Sequence, residues 1–255
     1  MTTALRFRPG DVLSIAVPFT ECRVERGLTF HEVHLAWPWW RPDPGCEFIH
    51  WNGVVGLGAD HSGTAPEWGM FRTDPAPEHL RAGDLCRVGV PPTVVHVTAV
   101  EVYDPPRETG YLPRERACVS LLPRGRSYRE YPDHTHLNGE GHGIDPDDGI
   151  PYAIDLIHRP YAFLEPGDEV ADAAGRAWRF DGPWDWHAFD PEEAGRVPAW
   201  PLELLTRDGL PRTEQAAAEV GRATADGSHR GVLHRWTGLT DASPTPSPGG
   251  LVLPR

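Results

Sequence analysis

The sequence predicts a mainly β protein built from small tandem modules, barrel-like or SH3-like, with little helix and a disordered C-terminal tail. Three observations predict it. The phrase hydrophobic-x-x-Gly-Asp occurs three times, as Phe7-Arg-Pro-Gly-Asp11, Leu80-Arg-Ala-Gly-Asp84 and Leu164-Glu-Pro-Gly-Asp168, with starts 73 and 84 residues apart. Each copy turns the backbone cheaply and leads into strand-like sequence. The 28 Pro and 27 Gly among 255 residues cut the chain into short elements, which disfavours long helices. Between these breaks lie runs of β-branched and aromatic residues of the kind that fit a pleated, half-buried surface.

The phrases divide the chain into a first β-module over 1–75, a second and related one over 76–160, a small third unit over 161–209 and a tail over 210–255. In the first module, Val12 to Phe19 reads as a strand. Thr29 to Trp37 is a second, with imperfect alternation that leaves its core face open. Glu47 to Trp51 and Val54 to Leu57 are expected to pair across Asn52-Gly53, a favoured two-residue turn. Residues 58–79 read as a long connection broken by Pro66, Pro75 and Pro77, with one short strand at Trp68 to Phe71.

The second module opens with Leu85 to Val90. Pro91-Pro92 then separates it from Thr93 to Tyr103, the strongest strand signal in the chain. Ala117 to Leu122 and Tyr152 to Ile157 follow. Between them, residues 123–150 are rich in Gly, Asp and His. A connection longer than about 12–15 residues is uncommon unless it is functional or disordered, which makes this segment the first place to look for a site.

The third unit reads as a four-strand meander: Asp168 to Asp172, Arg176 to Phe180, Trp184 to Phe189 and Trp200 to Leu205. At this size it is expected to pack on the preceding module. In the tail, Thr213 to Ala225 is the only helix-like run. Residues 241–249 have disordered composition, and Trp236 is the one tail residue expected to dock.

Composition excludes several functions. All 24 basic residues are Arg. Without Lys there is no protein Schiff base, no internal pyridoxal aldimine and no Walker A phosphate loop. The net charge of −13 argues against general nucleic-acid binding and against anionic membranes. No stretch approaches the length of apolar sequence that spans a bilayer. The N-terminus lacks the apolar region of a signal peptide, and the four cysteines have no C-x-x-C spacing. A cytoplasmic location with reduced cysteines is the expectation.

The densest cluster of chemical groups is Asp133-His134-Thr-His136, followed by Asn138, Glu140, His142, Asp145, Asp147 and Asp148. An extended His-x-His places both rings on one face. His142, or a carboxylate brought back by the glycines, would complete a three-ligand site for a single divalent metal, Zn or, with a carboxylate, Fe or Mn. Glu140 or Asp145 would then serve as general base, and Arg124, Arg126 and Arg129 would clamp an anionic substrate. The alternative is a solvated acidic loop in a His-rich chain, because the spacing fits no metalloenzyme signature.

Two aromatic clusters stand beside it. The run Trp37-Pro-Trp39-Trp40 reads as a pocket lining, a recognition patch or a core edge. Trp184 and Trp186 share one strand face and would stack on a ligand ring or fill a β-core.

Two function classes follow. One is a non-enzymatic binding or scaffold protein that uses aromatic-lined β surfaces to hold a protein or small-molecule ligand. The other is a metal-dependent enzyme acting on a small anionic metabolite through the 133–148 loop.

Overall fold

In a computed structural model, which describes residues 6–58, 70–126 and 141–241, the three Gly-Asp phrases fold alike. Gly10, Gly83 and Gly167 have φ of 88°, 90° and 92°, a region that favours glycine. In each copy the Asp carboxylate accepts the backbone N–H three residues earlier: Arg8 to Asp11 at 2.9 Å, Arg81 to Asp84 at 2.8 Å and Glu165 to Asp168 at 2.9 Å. Each glycine N–H donates to a carbonyl on another element, Val97, Val24 or Phe180. The leading residues Phe7, Leu80 and Leu164 are all buried. Every copy therefore anchors an apolar side chain, reverses the chain and releases it toward a strand.

The protein is mainly β. The first strands are β1 (Val12–Thr29), β2 (Glu32–Ala36), β3 (Arg41–Pro42), β4 (Val54–Gly58) and β5 (Arg72–Asp74). Next come β6 (Leu85–Arg107), β7 (Tyr111–Leu112), β8 (Glu115–Pro123), β9 (His142–Ile144) and β10 (Ala153–His158). The last are β11 (Glu169–Ala171), β12 (Ala177–Gly182), β13 (Asp185–Ala188), β14 (Glu203–Arg207) and β15 (Leu210–Pro211). Two helices follow, α1 (Glu214–Thr224) and α2 (His229–Thr240). Neither is long and apolar enough to cross a membrane.

β1 and β6, at 18 and 23 residues, form the spine. They run antiparallel from Val12↔His96 to Arg23↔Leu85, with register shifts on either side of Val17. Gly89 lies at this bend, where an added Cβ would stand 2.7 Å from the Val17 carbonyl oxygen and 2.9 Å from Phe19 Cα. The hydrogen-bonded path runs β4-β2-β1-β6-β8-β9, with β10 joined to β1 and β5 to β6. Its core includes Leu13, Ile15, Leu35, Val88, Val97, Val119 and Leu121. Residues from either side of position 76 thus share one core.

Several elements differ from expectation. Pro91-Pro92 does not end a strand, because β6 runs through it. The pair falls between Val90↔Val17 and Thr93↔Ile15, where the register slips, so neither proline has to donate to β1 there. No strand forms over 47–51; instead β4 pairs with β2, and Asn52 Oδ1 accepts the Val54 N–H. The third unit has strand order β13-β12-β11-β14-β15, so β14 returns beside β11 instead of continuing a meander. Of the short strand expected at Trp68 to Phe71, residues 68–69 lie outside the described residues and Met70 and Phe71 precede β5 without joining a strand. The tail from 242 onward also lies outside the described residues.

The second core gathers Tyr161, Leu164, Trp178, Phe180, Trp186, Leu204 and Val220. It is tied to the first Gly-Asp turn from two sides. Arg8 donates to the Leu164 carbonyl at 2.9 Å and pairs with Glu165. Trp236, fully buried, donates its indole N–H to the Gly10 carbonyl at 2.8 Å.

Candidate functional site

β4 and β9 are the two ends of the sheet path, and both line a single cavity of about 420 Å³. Val54, Val55, Gly56 and Leu57 contribute from β4, and His142, Gly143 and Ile144 from β9. Consecutive strand residues point to opposite faces, so runs like these mean that the strand edges themselves border the space. The pocket thus lies between the two terminal strands of the path. Mouths of barrel-like sheets commonly take this role.

The rest of the wall is set by three local structures. Trp37 donates its backbone N–H to the Gly53 carbonyl, which fixes the exit from β2. The β3–β7 ribbon, with Arg41↔Leu112 and Pro42↔Tyr111, brings Tyr111 onto Trp40. Their rings stack with centroids 4.1 Å apart and planes 4° apart. Phe71 meets Trp37 edge-on at 5.2 Å and His142 at 6.1 Å.

The third local structure is the tight segment after β9. Asp145 Oδ2 accepts the backbone N–H groups of Arg116 at 2.6 Å and Ala117 at 3.3 Å, while Oδ1 accepts that of Asp147 at 2.9 Å. Asp148 Oδ1 accepts the Ile150 N–H at 2.9 Å. Asp145 and Asp148 are only 3% and 4% exposed, yet both belong to the cavity wall.

Burial pushes the Asp148 carboxyl from 3.8 up to about 7, with the charges of Asp145 and Glu115 adding to it. The Ile150 N–H opposes this rise. So does the Trp40 indole, which lies nearby but outside hydrogen-bond geometry. Glu115 is also raised, mainly by burial, against the pull of Arg107 at 3.4 Å. Burial drives the Tyr111 hydroxyl up to about 12 and that of Tyr152 well above its ordinary value. Titratable groups perturbed in this way inside an aromatic cavity mark a candidate site.

The residues expected from sequence fall in different places. His134, His136, Glu140 and Arg129 lie outside the described residues. His142 and Asp145 do reach the cavity. Asp145, however, has both oxygens committed to backbone donors, which suits a structural anchor better than a general base. Among the described residues no group of three His, Cys, Asp or Glu is placed to hold a metal ion.

Arg124 does not border the cavity. Its Nε donates to the Asp241 carbonyl at 3.0 Å and its Nη2 to that of Gly238 at 3.3 Å, so it holds the end of α2. Arg126 is half-buried, and its charge acts on Arg72. Trp186 is buried, and Trp184 is packed against the same core with its ring 5.5 Å from Trp236. Both rings pack in this core, Trp184 remaining partly exposed, and neither borders the cavity between β4 and β9.

Sequence reasoning missed Glu115, Tyr111 and Tyr152 and gave Asp148 no separate role. Asp148 stood out only as one carboxylate among several. Its distinguishing feature is burial, which depends on partners distant in the chain. The Trp37–Trp40 run was the available signal, and it does form part of the wall.

No protein-family model, curated protein or solved structure matches this chain.

Proposed function

We propose that this is a non-enzymatic binding protein that holds a small molecule in the cavity between β4 and β9. The observation that supports this most is the coexistence of a stacked aromatic wall with Asp148, a carboxyl only 4% exposed that nonetheless borders the space. One carboxyl oxygen of Asp148 is met by the Ile150 N–H, and a ligand polar group at the other would offset the remaining cost of its burial. We place the protein in the cytoplasm, where its four free cysteines stay reduced. The net charge of −13 speaks against nucleic acid as the partner.

The test is thermal unfolding against a panel of metabolite-sized probes, run beside a Val54→Trp variant that fills the cavity. At least one probe is expected to raise the wild-type Tm by several degrees, as ligands selective for the folded state do, and to leave the variant unmoved. No stabilising probe, or equal stabilisation of the variant, contradicts the reading.

A second reading, the metal-dependent enzyme, keeps one observation in its favour: His142 borders the cavity, although no three ligating side chains converge there among the described residues. About one equivalent of Zn, Fe or Mn that is lost in His142→Ala would favour it. A metal-free protein after supplementation would remove it.

A further inference from the structure

The wall of the cavity narrows the chemistry of its occupant. Trp37, Trp40, Phe71, Tyr111 and Tyr152 supply aromatic rings, and Glu115, Asp145 and Asp148 supply carboxyl groups. Among the described residues that line it there is no Arg. The three acids are not equivalent. Asp145 is satisfied by three backbone N–H groups, and Glu115 has Arg107 at 3.4 Å. Asp148 has a backbone donor on Oδ1 alone. It is the acid whose charge the protein itself does least to balance.

The π-faces of Trp and Tyr attract cations and disfavour anions. A carboxylate in low dielectric does the same, more strongly than in water. Both kinds of wall therefore select the same sign of charge. Resting on the binding reading above, we propose that the ligand is an organic cation, a small quaternary or protonated amine, with its apolar part among the rings and Asp148 as its counter-ion. A neutral polyol would gain from the rings and from hydrogen bonds to the acids, but only a cation also gains from the ionised form of Asp148, which is why the cation fits better.

The proposal brings a proton linkage. With the cavity empty, burial keeps Asp148 protonated up to about pH 7. The groups facing it are Asp145 beyond β9, Glu115 of β8 with Arg107 of β6 behind it, His142 of β9, Tyr111 of β7, Tyr152 before β10 and the Trp40 indole. The first two carboxylates raise it further. An arriving cation takes the place of the proton, so the affinity rises with pH across this range and binding releases a proton at the acid end.

The experiment follows tryptophan fluorescence while the full chain is titrated with choline and with its neutral carbon isostere, 3,3-dimethylbutan-1-ol, at pH 6 and pH 8. Choline is expected to bind at least about ten-fold more tightly than the isostere, the size of a desolvated cation–π and ion-pair preference. Its affinity should rise about five-fold from pH 6 to pH 8. Asp148→Asn should remove the pH dependence and reduce the preference for charge to the part the rings supply. Tyr111→Leu, which keeps the acid, should weaken choline but leave the pH dependence, and so guards against a folding defect in the first variant. Equal affinity for the two probes overturns the cation proposal and leaves the binding reading standing. Failure of both probes overturns the proposal as well, and the wider panel with Val54→Trp then decides the binding reading separately.

Discussion

Three aspartates in equivalent turns do similar work with different support. Asp11 is fully buried and takes a two-pronged contact from Arg159, Nε at 2.8 Å and Nη2 at 2.7 Å. Asp168 takes the matching contact from Arg207, with Nη2 at 2.8 Å. Asp84 is exposed and serves its own turn. The glycines differ in the same sense. A Cβ at Gly83 meets nothing within 4 Å, while one at Gly10 would lie 2.7 Å from Pro183 Cγ. Gly83→Ala is therefore expected to cost only the backbone strain, about 1–2 kcal/mol. Gly10→Ala should cost clearly more, because Pro183 must also give way. Urea unfolding of the two variants checks the order, and an equal cost would contradict it. The phrase was legible in the sequence because its parts are consecutive. The arginines were not, since Arg159 and Arg207 come from distant positions that nothing local marks.

Local pattern predicts elements well where it is strong and poorly where packing decides. Thr213 caps α1 through the Ala216 N–H, and this helix was expected from its alanine-rich run. α2 was not, because Gly231, Gly238 and three β-branched residues give it weak propensity. It forms because Ser228 caps it through the Gly231 N–H and because Trp236 inserts fully against the first Gly-Asp turn. Trp236→Ala is expected to lower stability by about 3–5 kcal/mol, the usual cost of emptying a buried aromatic site. Arg124→Ala, which loses only the hold on the end of α2, should cost about 1 kcal/mol. Chemical denaturation with hydrogen exchange over 229–240 separates the two: early exchange of α2 is expected in both, global loss only in the first. The same limit applies to β6, whose prolines suggested a break that the register of β1 makes unnecessary.

At the scale of the whole molecule, two buried groups oppose one another as pH changes. His229, in α2, lies among Tyr161, Trp200 and the Pro198 carbonyl, and burial lowers it from 6.5 to about 4. Its neutral form is favoured in the fold, so its contribution is present above pH 6.5 and is lost as pH falls toward 4. Asp148 is raised from 3.8 to about 7, so its contribution is present below 3.8 and is lost as pH rises through 7. At about 1.4 kcal/mol for each pH unit, either effect amounts to roughly 2 kcal/mol between pH 5 and pH 7, with opposite sign. The wild type should thus show little net change over that interval. Asp148→Asn should lose up to about 2 kcal/mol on acidification from pH 7 to pH 5, where His229 then acts unopposed. Parallel pH profiles for the two proteins in urea melts would contradict this.

The fold class and the Gly-Asp turns could be read from the chain, and so could the aromatic run that forms part of the cavity. The cavity itself could not. It exists because β4 and β9, at opposite ends of a hydrogen-bonded path, come to border the same space, and strand order on that scale leaves no periodic trace in sequence. The most direct test of the account is a carbon-detected NMR titration of the Asp148 carboxyl, alone and with saturating choline. The account predicts a midpoint near 7 in the free protein, falling by about one pH unit or more with the cation, the counterpart of a ten-fold preference for the ionised form. A free midpoint close to the ordinary aspartate value, unmoved by the probe, would contradict it.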